Sequence, residues 1–267
     1  MALELFRRGL GDHRRALVGW GLGVIAYAAL VASIFPSIKG AADFKKLVQQ
    51  YPVALKSLFG LSEGGDITSG AGYMDAELFS LILPLLVLVL AIGSGARTFA
   101  GEEDRGLLEL RLSYPVRRRD AVLAKGAAVA AEILVVCGCG LAALVVLNKA
   151  VGLDLSFWRI ATALGGVAVL ALFFGWLALA IGAAISSRML AVGIPAALAA
   201  AAYLVGGLHQ LAGWLDPLRF LSPFWLVGST PLQKGIDGWG TLAVVAAASA
   251  ALLLGSALVE RRDLETP

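Results

Sequence analysis

The chain has 267 residues, of which 59% are hydrophobic and only 15% charged, with a mean hydropathy of +0.83 and a formal charge of +3. An ordinary soluble domain carries about a quarter charged residues, and a soluble protein of this size could not hide that much apolar surface from water. Disorder, a coiled coil and a nucleic-acid-binding domain are excluded on composition alone, which leaves a polytopic membrane protein.

At the N-terminus, residues 2–15 are amphipathic. Leu3, Phe6 and Leu10 fall at helical spacing, with Glu4, Arg7, Arg8, Arg14 and Arg15 between and beyond them. This predicts a short helix lying on the membrane surface, anchored by Phe6 and by Arg7, Arg8, Arg14 and Arg15 on lipid phosphates; an ordinary basic tail is the plainer reading. Residues 16–38 form the first uncharged run. No small-residue cleavage site interrupts it, so it is expected to be a retained span rather than a cleaved signal. The connection 39–77 predicts a short helix over 44–58, broken at Pro52, and a turn-rich stretch over 62–72.

A helix needs about 20 apolar residues to cross a bilayer core. The run 78–96 meets that length, as do 126–147, 160–187, 189–208 and 238–259. Together with the first, they predict six transmembrane helices in a single domain covering 1–267. The runs are continuous, without the alternation of barrel strands. Gly165, Gly166, Gly175, Ala178 and Gly182 would let neighbouring helices approach closely, and Pro84 and Pro195 would bend spans two and five. Cys137 and Cys139 read as small buried hydrophobes.

Between spans two and three lies the most informative segment. Glu102, Glu103 and Asp104 favour a helix start, Leu107, Leu108, Leu110 and Leu112 give an apolar side, and Pro115 ends the helix. Residues 108–112 also alternate like a strand, but an isolated strand at a membrane surface has unpaired edges. A charged helix with exposed leucines suits the docking of a soluble partner; a solvated connecting loop is the bland reading. Before the last span, 209–237 is semi-apolar, with Trp214, Phe220, Phe224 and Trp225 beside Pro217, Pro223 and Pro231. It is too broken to span, and it is expected to dip into the membrane as a re-entrant hairpin or to form a plain aromatic belt.

Six spans put both termini on one side. If that side is the cytoplasm, the inner segments hold 14 of the 22 Lys and Arg residues, so the positive-inside rule predicts N-in and C-in. Glu132 is an acid inside span three, and such residues are costly. It could line a substrate path, carry a proton, or be a buried carboxyl bonded to a neighbouring helix. An intramembrane protease built on Ser94 and His209 is rejected: they would stand about 30 Å apart, at opposite ends of the bilayer core. No cluster of residues suggests a metal site.

The segment Ala100-Gly101-Glu102-Glu103, Gly106-Leu107-Leu108-Glu109-Leu110, Ser113, Pro115-Val116, Arg118-Arg119, Val122-Leu123 and Lys125, together with the six spans, resembles an ABC transporter permease of the type-2 exporter class. Leu107 stands where that family usually has Thr. Tyr51-Pro52, Phe59-Gly60 and the run 78–96 resemble a bacterial subgroup of antibiotic or multidrug efflux permeases. The resemblance implies a permease paired with a second copy or a paralogue and with two cytoplasmic ATPase subunits, in the bacterial inner membrane, expelling an amphipathic small molecule such as an antibiotic, drug or lipid. It implies that Glu102, Glu103, Arg105, Leu107, Leu108, Glu109 and Leu110 belong to the coupling helix that seats in the ATPase, with Ser187 and Arg188 as a second, smaller contact. The chain lacks the G-x-x-x-x-G-K-[ST] phosphate loop, so ATP and Mg are expected on the partner and no cofactor on this chain. The alternatives are an ion-coupled secondary transporter using Glu132, and a non-transporting anchor or assembly factor.

Overall fold

The computed structural model describes residues 14–39, 66–98, 118–185, 187–209 and 213–261, with positions 48, 50–52 and 56 between them. It is all-helical over these residues, and six of its helices are long and apolar enough to cross a membrane. In chain order the elements are α1 (Arg14–Ile38), α2 (Gly70–Met74), a π-helical turn (Asp75–Phe79), α3 (Ile82–Thr98), α4 (Arg118–Val151), α5 (Phe157–Ala184), α6 (Arg188–Leu208), a 3-10 turn (Asp216–Leu221), α7 (Pro223–Val227) and α8 (Gly238–Arg261).

α5 is the centre of the bundle, with α3, α4, α6 and α8 packed around it and α1 on the far side of α4. Its sequence explains this place. Gly166, Gly175, Ala178 and Gly182 are buried and leave room for neighbouring backbones, whereas Gly165 faces open space and plays no part in packing. The closest approach is at Gly95 of α3, where an added Cβ would stand 2.1 Å from the Gly175 carbonyl oxygen. On α8, a Cβ at Gly255 would stand 2.7 Å from the Ala180 Cα. α6 is the outlier, with only 11% of its apolar window buried against 61% for α5.

The second span begins earlier than expected. Residues 70–77, read from the sequence as the end of a loop, are helical because Ser69 caps α2, its hydroxyl accepting from the Gly72 amide at 3.1 Å. The span then passes from the π-helical turn into α3 at Ser80–Leu81, with Ser80 still at right-handed helical angles. Pro84 lies in the first turn of α3, and its missing N–H and ring bulk disfavour a regular helix running back to Ser80. Tyrosines fasten this end of the span to α1: Tyr73 donates to the Val31 carbonyl and Tyr27 to the Glu77 carbonyl, each at 3.1 Å.

The fourth span also differs at its end. It stops at Ala184 rather than at 187, Ile185 is extended, and Ser187 starts the next helix as its cap. The helix holding span three has 34 residues, about 50 Å at about 1.5 Å per residue, so it overshoots a bilayer core of about 30 Å. Asn148 closes the turn after it, donating to the Leu155 carbonyl at 2.8 Å and accepting from the Leu155 amide at 3.0 Å. Before the last span, the semi-apolar stretch forms two short helices, each with a proline in its first turn.

Candidate functional site

At the C-terminal end of α3 the chain places three polar side chains among buried apolar ones. Ser94 and Glu132 are both buried. The Ser94 hydroxyl donates to Glu132 Oε2 on α4. One turn further along α3, Arg97 donates through Nη2 to Ser94 Oγ at 3.2 Å. The serine thus sits between a carboxylate and a guanidinium. Glu132 is buried and Arg97 half-buried, so the serine links a carboxylate whose burial is costly to a guanidinium nearer the end of the helix.

The neighbouring backbone explains how these groups come together. Gly95 lies between Ser94 and Arg97 and rests on Gly175 of α5. Gly175 in turn approaches Ala91 of α3 and the Val129 side chain of α4, with a Cβ there 3.1 Å from Ala91 Cβ and 3.2 Å from Val129 Cγ1. α3, α4 and α5 therefore meet at this level, and the polar group lies beside their tightest crossing. The Trp176 indole adds a bond across the same region, donating to the Gly126 carbonyl of α4 at 2.9 Å.

Glu132 is thus placed as a buried carboxyl bonded to a neighbouring helix. Ser187 and Arg188 lie at the start of α6, with the Ser187 hydroxyl accepting from the Leu190 amide at 3.4 Å and Arg188 exposed. This start lies beside the end of α3: Ala96 and Ala191 are both fully buried in one apolar cluster with Ile92, Phe174 and Ala178. The stretch leading to 99–117 and the 185–188 link therefore emerge side by side. Glu102, Glu103, Arg105, Leu107, Leu108, Glu109 and Leu110 fall outside the described residues, as do Phe6, Arg7 and Arg8. Arg14 and Arg15 are the first residues of α1 and are exposed.

Sequence reasoning missed Arg97 and Asp75. Asp75 counted as a loop residue, yet it is fully buried in the π-helical turn and accepts from the backbone of Leu232 and Gln233. Its signal was available in part, since an acid next to a helical run without nearby basic residues needs a partner. Ser94 was weighed only as a nucleophile, with His209 or His13 as its base. Its partners are Glu132 and Arg97, and the His209 ring Nδ1 lies 2.9 Å from the Gly206 carbonyl instead. Among the described residues no group of three or more His, Cys, Asp or Glu side chains is disposed to hold a metal.

Comparison with known proteins agrees with this architecture. Residues 3–259 match the family described as ABC-2 family transporter protein. Over 118 residues the chain is 30% identical to the "Probable ABC transporter permease protein NosY" of Stutzerimonas stutzeri, an alignment that covers 43% of this chain and 40% of that relative. The matched part is thus less than half the length of that curated relative. Matched over nearly its whole length and built from six apolar helices, the chain belongs to the ABC-2 transporter family and is a multi-pass membrane protein of the permease type.

Proposed function

We propose that this chain is the membrane-spanning subunit of an ATP-driven exporter, with both termini in the cytoplasm of a bacterial inner membrane. It moves an amphipathic small molecule outward. It pairs with a second copy or a paralogue, and two ATPase subunits bind ATP and Mg and supply the work. The observation that supports this reading best is the meeting of two chain segments at one end of the bundle. The end of α3, leading into the acidic-then-leucine stretch 102–113, lies against the start of α6 and its Ser187–Arg188 link. A soluble motor bound there would touch both. A push on the end of α3 would pass directly to Ser94, Arg97 and Glu132 and to the α3–α5 crossing.

The test is to replace Leu107 and Leu108 together by Asp. Apolar anchors at the centre of an interface each contribute about 2 kcal/mol or more when they are hot spots, so association with the partner ATPase should weaken by more than about tenfold. Insertion in the membrane should be unchanged, and efflux should fall in step. Undiminished association and efflux would remove the coupling assignment.

Glu132→Gln tests the substrate path. It keeps an acceptor for Ser94 while removing the charge. If Glu132 meets the transported molecule, export of cationic compounds falls and export of neutral ones does not. Equal effects on both would leave Glu132 to its bonds with α3.

A further inference from the structure

Residues 228–236 leave α7 and return to α8 as a loop whose ends meet. The Asp237 amide donates to the Val227 carbonyl at 3.1 Å. The neck is a pair of glycines, Gly228 at φ +110° and Gly235 at φ +85°, conformations that side-chain-bearing residues rarely adopt. The two face each other, since a Cβ on Gly228 would stand 3.4 Å from the Gly235 carbonyl oxygen. Between them the turn from Thr230 to Lys234, closed by a 2.9 Å backbone bond, points inward. Thr230, Pro231 and Leu232 are buried, Leu232 completely.

Two side chains from separate helices hold this turn. Asp75, in the π-helical turn before α3, accepts from the Leu232 amide at 2.9 Å, the Gln233 amide at 3.0 Å and Gln233 Nε2 at 3.3 Å. Arg159, in the first turn of α5, donates to the Leu232 carbonyl at 3.0 Å. Single-turn π-helices occur often at functional sites, and this one presents the acid that grips the loop.

Under the turn lies a cavity of about 50 Å³, walled among others by Ser80, Tyr203, Phe224, Trp225, Ser229 and Pro231. No charged side chain lines it. Binding sites for drug-sized molecules measure about 300–1,000 Å³, so the space is too small to hold one while the turn is in place. We infer that the 228–236 loop is a hinged lid, held shut by Asp75 and Arg159, over a binding pocket for uncharged aromatic or similarly apolar amphiphiles. The aromatic walls take the apolar part of such a molecule, and the serine and tyrosine hydroxyls take a neutral polar group. A charged group would lose its water there without a counter-charge, which is costly. That this ligand is the exported molecule rests on the function proposed above; the lid and its pocket do not.

The test uses the full chain in lipid nanodiscs with Cys139→Ala, Leu232→Cys as reporter, and the buried native Cys137 as a control for folding. Maleimide labelling of Leu232→Cys should be slow. Asp75→Asn replaces an acceptor oxygen by an amide that faces a backbone N–H. It should speed labelling by about tenfold or more, the effect of losing a charge-assisted hydrogen bond, while Cys137 stays slow. If Cys137 also becomes reactive, Arg159→Gln decides by the same criterion. Unchanged labelling of Leu232→Cys in the variant that keeps Cys137 protected overturns the lid. Photolabelling with 3-azidobenzyl alcohol and with its trimethylammonium analogue then tests the pocket. The alcohol should mark the 223–231 peptide several-fold more in the opened variant than in the parent, and the ammonium should not. Equal marking by both probes, or none on that peptide, overturns the ligand class. Neither arm needs nucleotide, ATPase or transport, so failure here is separable from failure of the exporter reading.

Discussion

Glu132→Ala is expected to destabilise the folded bundle by about 1–3 kcal/mol, the cost of leaving a buried hydrogen-bonding group without its partner. The carboxylate is buried against Ser94, and Ser94 in turn accepts from Arg97. Without it, the Ser94 hydroxyl loses its acceptor, and the half-buried Arg97 guanidinium keeps its charge, because Arg is not deprotonated in proteins. Arg97 Nε already has no hydrogen-bond partner among the described residues, so the site has little capacity to absorb a further loss. Reversible unfolding in mixed micelles measures the effect. Glu132→Gln, which retains an acceptor for Ser94, should lose less than Glu132→Ala. A double-mutant cycle of Ser94→Ala with Glu132→Ala should give a coupling of about 0.6 kcal/mol and at most about 1.7, the average and the maximum found for hydrogen bonds between membrane helices. A cost below about 1 kcal/mol for Glu132→Ala would mean that Ser94 does not depend on the carboxylate as its acceptor.

How much of this was legible in advance follows from what a one-dimensional pattern records. Span number and approximate position were readable because about 20 apolar residues in a row have few alternatives, and the resemblance of the segment after span two pointed to the family found by comparison. Neighbour relations were not readable. Glu132 stood out as an acid in an apolar run, but its bond to Ser94 depends on α3 lying against α4, and nothing in either helix names the other. Gly175 was noticed as a small residue on α5, whereas Gly95 was not. It matters only because the two meet. Asp75 was assigned to a loop since the uncharged run began after Glu77. A helix start set by Ser69 and a π-helical turn before Pro84 extended the span backward past two acids, which a hydropathy window cannot do. Gly228 and Gly235 carry no signal of their own beyond being glycines, and their role comes from the positive φ angles that only the folded backbone reveals.

Gly95→Ala is expected to be strongly disruptive, because it adds a methyl where two long spans cross backbone to backbone. The added Cβ would stand 2.1 Å from the Gly175 oxygen and 3.1 Å from both the Gly175 carbonyl carbon and the Leu179 nitrogen. All three obstacles are backbone atoms of α5, the central helix, so no side-chain rotation relieves the clash and α3 must move away from α5. Overpacking of a filled core costs about 1–3 kcal/mol when side chains can adjust, and here the loss should reach or exceed the upper end. The comparison that isolates the cause is Gly93→Ala, two residues earlier on the same helix, where nothing lies within 4 Å of the new methyl. There alanine's better helix propensity should be neutral or stabilising by up to about 1 kcal/mol. The two variants differ in composition by nothing and in position by two residues, so a difference in their unfolding midpoints reports the crossing itself. Because Ser94 and Arg97 flank Gly95, the displaced helix should also loosen the bond to Glu132. The Ser94–Glu132 coupling should therefore shrink in a Gly95→Ala background and persist in a Gly93→Ala one. If the two alanine variants proved equally stable, α3 and α5 would not be in backbone contact, and the route from the end of α3 into the bundle would have to run through side chains instead.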